Sequence, residues 1–396
     1  MTNTNIPLLK RYKYRIYPTK EQEESLTKLF GSCRFVYNKL LGETILAYEL
    51  YKSKKDECLK PKLGKFDLTN KLTQLKRSGE YPWLYDVSSQ ALQQSVGNLA
   101  DAFKNFFKYK RGYPKFKRRS NNQAATFTNQ TAIVRDGKLL LGKIPGLIRV
   151  NWDKCGIPIN YTGVTITKTP SGKYFASFIA ESERVLTTGV GILGIDAGIT
   201  DLYTFSDGTT VPNPRHFVNS QKRLARLQRS LSRKKKGSNN RNKLRIKVAK
   251  CHERIANLRN DYLHKLSTKL IRENQAIGIE SLQVRNMVRN HRLAKHIADA
   301  SWFKFREMLM YKAAFSTGCK IYLADPYFPS TQLCNSCGIK PTEKLTLGTR
   351  KWTCVHCGAT HQRDHNAALN LKNLAERMHT SWRDRPESVI VSPAYA

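Results

Sequence analysis

The sequence predicts a multidomain chain of mixed class, part α/β and part α+β. A small β-domain with an inserted helical segment comes first, and a run of strands and long helices with a cysteine cluster before its last helix follows. Three observations predict this. Basic–apolar alternation at residues 10–16 and short β-rich runs between residues 125 and 181 bracket a long stretch of helical periodicity. Two buried-strand runs, Val190 to Ile199 and Ala276 to Ile279, stand either side of long helical segments. Two Cys-x2-Cys pairs stand 16 residues apart just ahead of a last helix. The 396 residues leave room for two or three domains of ~150 residues each.

In KRYKYRI, residues 10–16, Tyr12, Tyr14 and Ile16 share one face while Arg11, Lys13 and Arg15 share the other, which makes a half-buried strand. Pro18 ends it, and Thr19 with Gln22 reads as a capping box that opens a helix. Helical periodicity then runs to about residue 110. It is clearest in Leu92, Val96, Leu99, Phe103 and Phe106, an apolar core-facing stripe on a helix entered near Ser88. Gly112 and Pro114 break that helix inside KYKRGYPKFKRR, Lys108 to Arg119. Aromatic rings alternate there with cations, as in segments that contact phosphates and stack bases, so Tyr113, Lys115 and Lys117 are candidate nucleic-acid contacts. Turn signals at Asp136-Gly137 and Ser171-Gly172 divide the β-rich runs that follow. Val164, Ile166, Phe175 and Phe178 suggest a hairpin about the second turn, and the N-terminal strand is expected to join this β-domain.

The run GILGIDAGI carries a single acid, Asp196. Asp201 to Phe205 reads as the return strand and Asp207-Gly208 as the next turn. Residues 220–273 form long helical segments broken near Lys236-Gly237, with Leu224, Leu227 and Leu231 on an apolar face. Their cations include Arg226, Arg229, Arg233, Lys234, Lys235, Arg241 and Lys243, almost uninterrupted by acids. Like charges at (i, i+4) cost stability, so this surface is expected to face phosphates. The strand Ala276 to Ile279 ends at Glu280. A helix from Ser301 to Phe315, a strand from Lys320 to Leu323, the cysteine cluster and a helix starting near His365 complete the order. The tail from about Met378 is polar and without period, and is expected to be disordered.

Charge narrows the partners. Lys and Arg number 69 against 30 Asp and Glu, a net charge of +39. Such a chain repels itself without a polyanion, and nucleic acid is the expected one. No apolar run approaches the ~18 residues of a spanning helix, and the N-terminus does not read as a signal peptide. A cytosolic chain is expected, with its nine cysteines reduced or metal-bound. Cys33, Cys58, Cys155, Cys251 and Cys319 are scattered and read as small hydrophobes.

Cys334, Cys337, Cys354 and Cys357 have zinc-site spacing. Gly338 and Gly358 follow the second cysteine of each pair, where the backbone often needs positive φ. Four soft ligands suit one Zn²⁺ and leave no open position, so the site is structural. Asp196 inside an apolar strand, Glu280 at the end of another and Asp364 where HQRDHNAALNL turns into a helix are costly carboxylates unless they are used. In that order they form the acid pattern of RNase H-like nucleases, where two Mg²⁺ ions activate a water and stabilise a leaving oxygen. Alone, GIDAG would also suit the phosphate loop of an actin-like ATPase, and Glu280 a surface acid.

Taken together, GIDAGITDLY, GIESL and CNSCG…CVHCG…RDHNAALN strongly resemble the transposon-encoded TnpB proteins. These are RNA-guided nucleases of the RuvC-like type, related to type V CRISPR effectors. RFVYNKLL, SSQALQQSVGNLADAFKNFF and YPKFK also look like that family, so the resemblance spans nearly the whole chain except the tail. It implies an RNase H-like (RuvC) domain at 189–333 and 359–377 and a zinc ribbon at 334–358 inserted into it. It also implies a β-barrel wedge domain at 1–18 and 120–188, and a helical recognition lobe at 19–119 inserted into that one. Asp196, Glu280 and Asp364 match the three catalytic, Mg²⁺-binding acids. Lys76, with Thr128 and Asn129 of FTNQ, resembles positions near the reader of a short motif beside the target. The implied activity is a Mg²⁺-dependent, guide-directed DNA endonuclease, with Asp196 and Asp364 bridging or flanking the metals and Glu280 completing the site.

The implied partners are a guide RNA from the transposon end and double-stranded target DNA, in a prokaryotic cytoplasm near the nucleoid, with no membrane. Base pairing would read the sequence and the protein only the adjacent motif and duplex shape. That accounts for the charge although no helix-turn-helix is recognisable. A non-catalytic accessory of transposition and a strand-joining transposase are the alternatives.

Overall fold

A computed structural model describes residues 8–383, except 55, 57–59, 154, 155, 186, 188, 344 and 347. The chain divides into two compact units, residues 1–182 and 183–396.

The first unit runs β1 (Leu9–Tyr17), α1 (Lys20–Lys54), α2 (Lys65–Arg77), a 3₁₀ turn (Pro82–Tyr85), α3 (Ser89–Tyr109) and then β2 (Gln123–Thr128), β3 (Ala132–Arg135), β4 (Lys138–Leu141), β5 (Leu147–Asn151), β6 (Tyr161–Lys168) and β7 (Tyr174–Glu181). Among the described residues the strands form one sheet in the order β2-β6-β7-β1-β5-β4-β3. Every pairing is antiparallel, and β1 lies between β7 and β5. Tyr161 of β6, the strand next to the β2 end, reaches the opposite end: its hydroxyl donates to Ala132 O (2.9 Å) and accepts from Val134 N (3.3 Å) on β3. The sheet is therefore a nearly closed barrel.

The capping box forms as read. Thr19 N donates to Gln22 Oε1 (3.0 Å) and Gln22 N to Thr19 Oγ1 (3.4 Å). The buried Gln22 amide also donates to Pro145 O (2.9 Å), tying α1 to the strands. Ser88 caps α3 through Ala91 N. Leu92, Val96, Leu99 and Phe103 bury the stripe of α3, each contributing ~2 kcal/mol of transfer free energy. Phe106 is half-buried, its ring against Tyr113.

The second unit runs β8 (Gly191–Ala197), β9 (Asp201–Phe205), β10 (Thr210–Pro212), α4 (His216–Ser232), α5 (Asn239–Glu273), β11 (Asn274–Ile279), α6 (Val284–Met287), α7 (His291–Ala300), α8 (Trp302–Ala314), β12 (Lys320–Leu323), β13 (Lys351–Thr353), β14 (Thr360–Gln362) and α9 (Arg363–Arg383). The main sheet has the order β10-β9-β8-β11-β12. Its first three strands are antiparallel neighbours, whereas β8, β11 and β12 run parallel. Parallel neighbours need long crossovers, and α4–α5 and α6–α8 supply them.

Helix α9 packs on β8 and β11 at two glycines. A Cβ on Gly194 would stand 1.9 Å from Ala368 O, and one on Gly278 would stand 2.2 Å from Leu371 O. Only a residue without a side chain lets the helix backbone come so near.

One expectation is corrected. Helix α9 continues to Arg383, past the point at which the sequence loses its period. The buried His379 holds that last turn down, with Nδ1 2.9 Å from Tyr322 Oη. The rest of the expected disordered tail, 384–396, lies outside the described residues, as do Cys58 and Cys155. Cys33 and Cys319 are buried, and burial pushes both thiols up to about 12, as suits small hydrophobes. No helix among the described residues is long and apolar enough to cross a membrane.

Candidate active site, metal centre and nucleic-acid surfaces

Asp196 is 5% exposed near the end of β8. Ile195 and Ile279 are register partners, so Glu280, the first residue past β11, comes beside Asp196 on the parallel strand. Asp364 sits in the first turn of α9. The structure thus brings the three predicted acids to one end of the β8–β11 pair. Burial raises the Asp196 pKa well above the ordinary aspartate value, and the charges of Glu280 and Asp364 raise it further. The Arg363 guanidinium and the Ala197 N–H oppose that shift. Burial also raises Glu280, opposed by a hydrogen bond from Ser330. Asp364 is held by Arg363 Nη2 (2.8 Å to Oδ1) and Arg350 Nη1 (3.2 Å to Oδ2). Ala197, Tyr203, Trp302 and Arg306 line a small cavity with Glu280.

The cysteine cluster is tighter. All four Sγ atoms lie within 4.8 Å of one another, and among the described residues this is the group of possible ligands gathered so closely. Cys334 and Cys357 are 3.7 Å apart, as are Cys337 and Cys354. Thiolates ~2.3 Å from a central zinc stand about 3.8 Å apart in a tetrahedron, so the quartet fits that ion. The two halves repeat the same turn. Gly338 N donates to Cys334 O and Gly358 N to Cys354 O, each at 2.8 Å. Both glycines take positive φ, 75° and 72°. The N–H groups of Cys357 and His356 hold the Cys354 thiol down to about 6. His361 Nε2 lies 3.0 Å from Cys334 Sγ, and Trp352 packs on the cluster.

The predicted nucleic-acid residues divide by surroundings. Lys76 Nζ is 3.1 Å from Ser89 Oγ, and Thr128 Oγ1 donates to Gln90 Oε1 (2.6 Å). The first turn of α3 therefore gathers Lys76 and Thr128 on one surface, and the exposed Asn129 follows Thr128 in the chain. Tyr113 stands edge-on to Phe103 and Phe106. Lys115 is exposed. Lys117 is exposed as a residue, but its ammonium lies 3.9 Å from the Tyr37 ring centre, and burial there lowers its pKa. Arg226, Arg229, Arg233, Lys234, Lys235 and Lys243 are exposed on α4, α5 and the turn between them. Arg241 is turned inward: Nη1 donates to Leu231 O (2.7 Å) and Lys234 O (2.9 Å), closing the helical hairpin.

Sequence reasoning missed Ser330, Asn366 and Asn370, whose buried side chains bind the segment before Cys334 to α9 and to Glu280. NAALN beside Asp364 was the available signal, since two asparagines inside a helix need a reason.

A family model described as "Probable transposase" (OrfB of IS605) matches residues 179–291, and one described as "Cas12f1-like, TNB domain" matches residues 302–371. Although no helix-turn-helix is recognisable in the sequence, a model described as "Helix-turn-helix domain" matches residues 6–53. The described residues there form β1 and most of the single helix α1. A Streptomyces pristinaespiralis protein named "Putative RNA-guided DNA endonuclease" is 42% identical, over 91% of this chain and 88% of its own. An Escherichia coli K12 protein named "Putative RNA-guided DNA endonuclease InsQ" is 33% identical, over 92% and 91%. The protein in a solved Cas12f1–sgRNA–target DNA complex shares the fold at 11% identity, with a TM-score of 0.54 over 93% of this chain and 99% of that one. With these relatives matched along most of their length, the chain belongs to the TnpB family.

Proposed function

We propose that this protein is an RNA-guided DNA endonuclease that cuts double-stranded DNA beside a short adjacent motif by hydrolysing phosphodiesters at Asp196, Glu280 and Asp364. The observation that carries the reading is the buried Asp196 carboxylate with two further acids beside it, an arrangement that calls for cations. The two relatives that bear an endonuclease name support it.

The donor set fits Mg²⁺, since carboxylate oxygens are the hard ligands that ion takes. Asp196, Glu280 and Asp364 would hold it, two ions in all, with Asp364 shared between metal and the guanidiniums of Arg350 and Arg363. When bound, the metal supplies an activated water and charge stabilisation at the leaving oxygen. The protein's own part is to converge three acids from two parallel strands and one helix, and to keep Asp196 away from bulk water. The cysteine quartet would hold one structural Zn²⁺.

The sheet of the second unit is read as RNase H-like (RuvC), at 189–333 and 359–377, with the zinc ribbon at 334–358 inserted. The wedge barrel is read at 1–18 and 120–188, its last six residues falling past the end of the first compact unit at Ser182, with the recognition lobe at 19–119. The exposed cations of α4 and α5, with Tyr113, Lys115 and Lys117, take guide RNA or heteroduplex phosphates. Lys76, Thr128 and Asn129 read the motif. The RNA comes from the transposon end, and the protein works in the prokaryotic cytoplasm at the nucleoid.

The test is to purify the protein from cells carrying its native locus, sequence the RNA that comes with it, and offer matching DNA. One discrete RNA and Mg²⁺-dependent cutting that Asp196→Ala abolishes with RNA binding retained are expected. Random RNA and no cutting would favour the accessory reading, and joined DNA products the transposase.

A further inference from the structure

We infer that Ser330 is a positioning residue: its hydroxyl fixes the Glu280 carboxylate for metal binding, and helix α9 fixes Ser330. This rests on the nuclease reading of the acids.

Ser330 is 3% exposed, and its Oγ donates to Glu280 Oε1 across 50 residues of sequence. A buried hydroxyl without a partner is costly, and the partner here is an acid of the proposed site. Glu280 reaches out from the end of β11 on three rotatable bonds, so a free side chain would sample many rotamers. With Oε1 held by the serine, the carboxylate loses most of that freedom.

Ser330 is itself held by its main chain. Asn370 Nδ2 donates to Ser330 O (2.8 Å) and Leu333 O (2.7 Å). Asn366 Nδ2 donates to Leu333 O (2.7 Å), and Asn366 Oδ1 accepts from Asn335 N (2.9 Å). The two amides stand one turn apart on α9 and are 1% and 4% exposed. Asparagine is a poor residue for a helix interior, and buried amides add nothing to apolar packing. Their hydrogen bonds account for them: they clamp residues 330–335 to the helix. The same helix carries Asp364 in its first turn. One helix thus sets Asp364 directly and Glu280 through Ser330, and the clamped segment continues into Cys334 of the knuckle. Hydrogen-bond partners of ligating carboxylates typically matter 10–100-fold in metal affinity.

The experiment titrates Mn²⁺ into the full-length, zinc-loaded chain and follows water-proton relaxation, with Asp196→Ala as the blank. Ser330→Ala should weaken the Asp196-dependent binding by about 10–100-fold, leave zinc content and melting temperature unchanged, and raise the Mg²⁺ needed for cleavage. Ser330→Cys keeps the volume with a weaker donor and should behave alike; it decides the matter if the alanine variant loses zinc or melts early. Wild-type affinity in both variants overturns the assignment while leaving the nuclease reading intact. Wild-type binding no tighter than that of Asp196→Ala overturns both.

Discussion

Gly194 and Gly278 are register partners across the parallel β8–β11 pair, and each precedes an acid by two residues. Alternate positions of a strand share a face. The glycine that admits the backbone of α9 and the acid two residues on therefore point the same way. In the pair Gly194-x-Asp196 and Gly278-x-Glu280, the spacing that seats the helix also aims the carboxylates at the end of it that carries Asp364.

Replacing Gly278 tests that seat. The new methyl would stand 2.2 Å from the Leu371 carbonyl oxygen, a main-chain atom fixed in a helix. Gly278→Ala should cost about 3 kcal/mol and lower the melting temperature by roughly 6–12 °C. Gly348→Ala, whose Cβ meets nothing nearer than 3.8 Å, should stay within ~0.5 kcal/mol of wild type. Differential scanning calorimetry of both variants decides it, and equal shifts would be the contrary result.

The acids make a prediction about pH in metal-free protein. Asp196 and Glu280 are raised above their ordinary values in the folded chain. Between the ordinary carboxylate range, ~4, and the raised values, the folded state keeps protons that the unfolded state has released. Stability then falls as pH rises through that window. Melts in chelator should show the decline, Asp196→Asn should flatten it, and added Mg²⁺ should restore stability on the alkaline side. A decline that survives in Asp196→Asn would assign it elsewhere.

Zinc is tested by composition. Reduced, purified protein should carry about one zinc per chain. Cys354→Ser should lose it, together with hydrogen-exchange protection in β13 and β14. A zinc-free wild type with intact protection in that hairpin would contradict the site.

Salt dependence tests the basic helices. Changing Arg226, Arg229, Arg233 and Lys234 to alanine removes four exposed cations. The slope of log K for RNA against log salt should shrink by roughly 3, at ~0.7 per contact. Arg241→Ala should act differently, loosening the α4–α5 hairpin by freeing the carbonyls it caps. An unchanged slope in the quadruple variant would move the RNA to another surface.

Much of the fold is legible because its signals are local. Asp201–Phe205 and Lys320–Leu323 occur as read, and the break near Gly237 separates α4 from α5. Helices α6 and α7 escaped because α7 meets α8 at Ser301, a residue with φ 55° that no apolar period announces. In the site, an acid inside an apolar strand is conspicuous, which is why Asp196 could be read. Ser330 could not, because its partner is 50 residues away. The inward turn of Arg241 was equally hidden, since a charge run looks the same whether its members face solvent or cap a helix.

The place of β1 between β5 and β7 has a consequence for biosynthesis. Its partner β7 begins at Tyr174, roughly 150 residues after β1 ends. At ~5–20 residues per second, a nascent β1 waits about 10–30 s for that edge. During this time α1, α2 and α3 have already been made, so the helices can fold while the barrel is still missing a stave. The alternating cations Arg11, Lys13 and Arg15 keep the waiting strand from pairing with strands of neighbouring nascent chains.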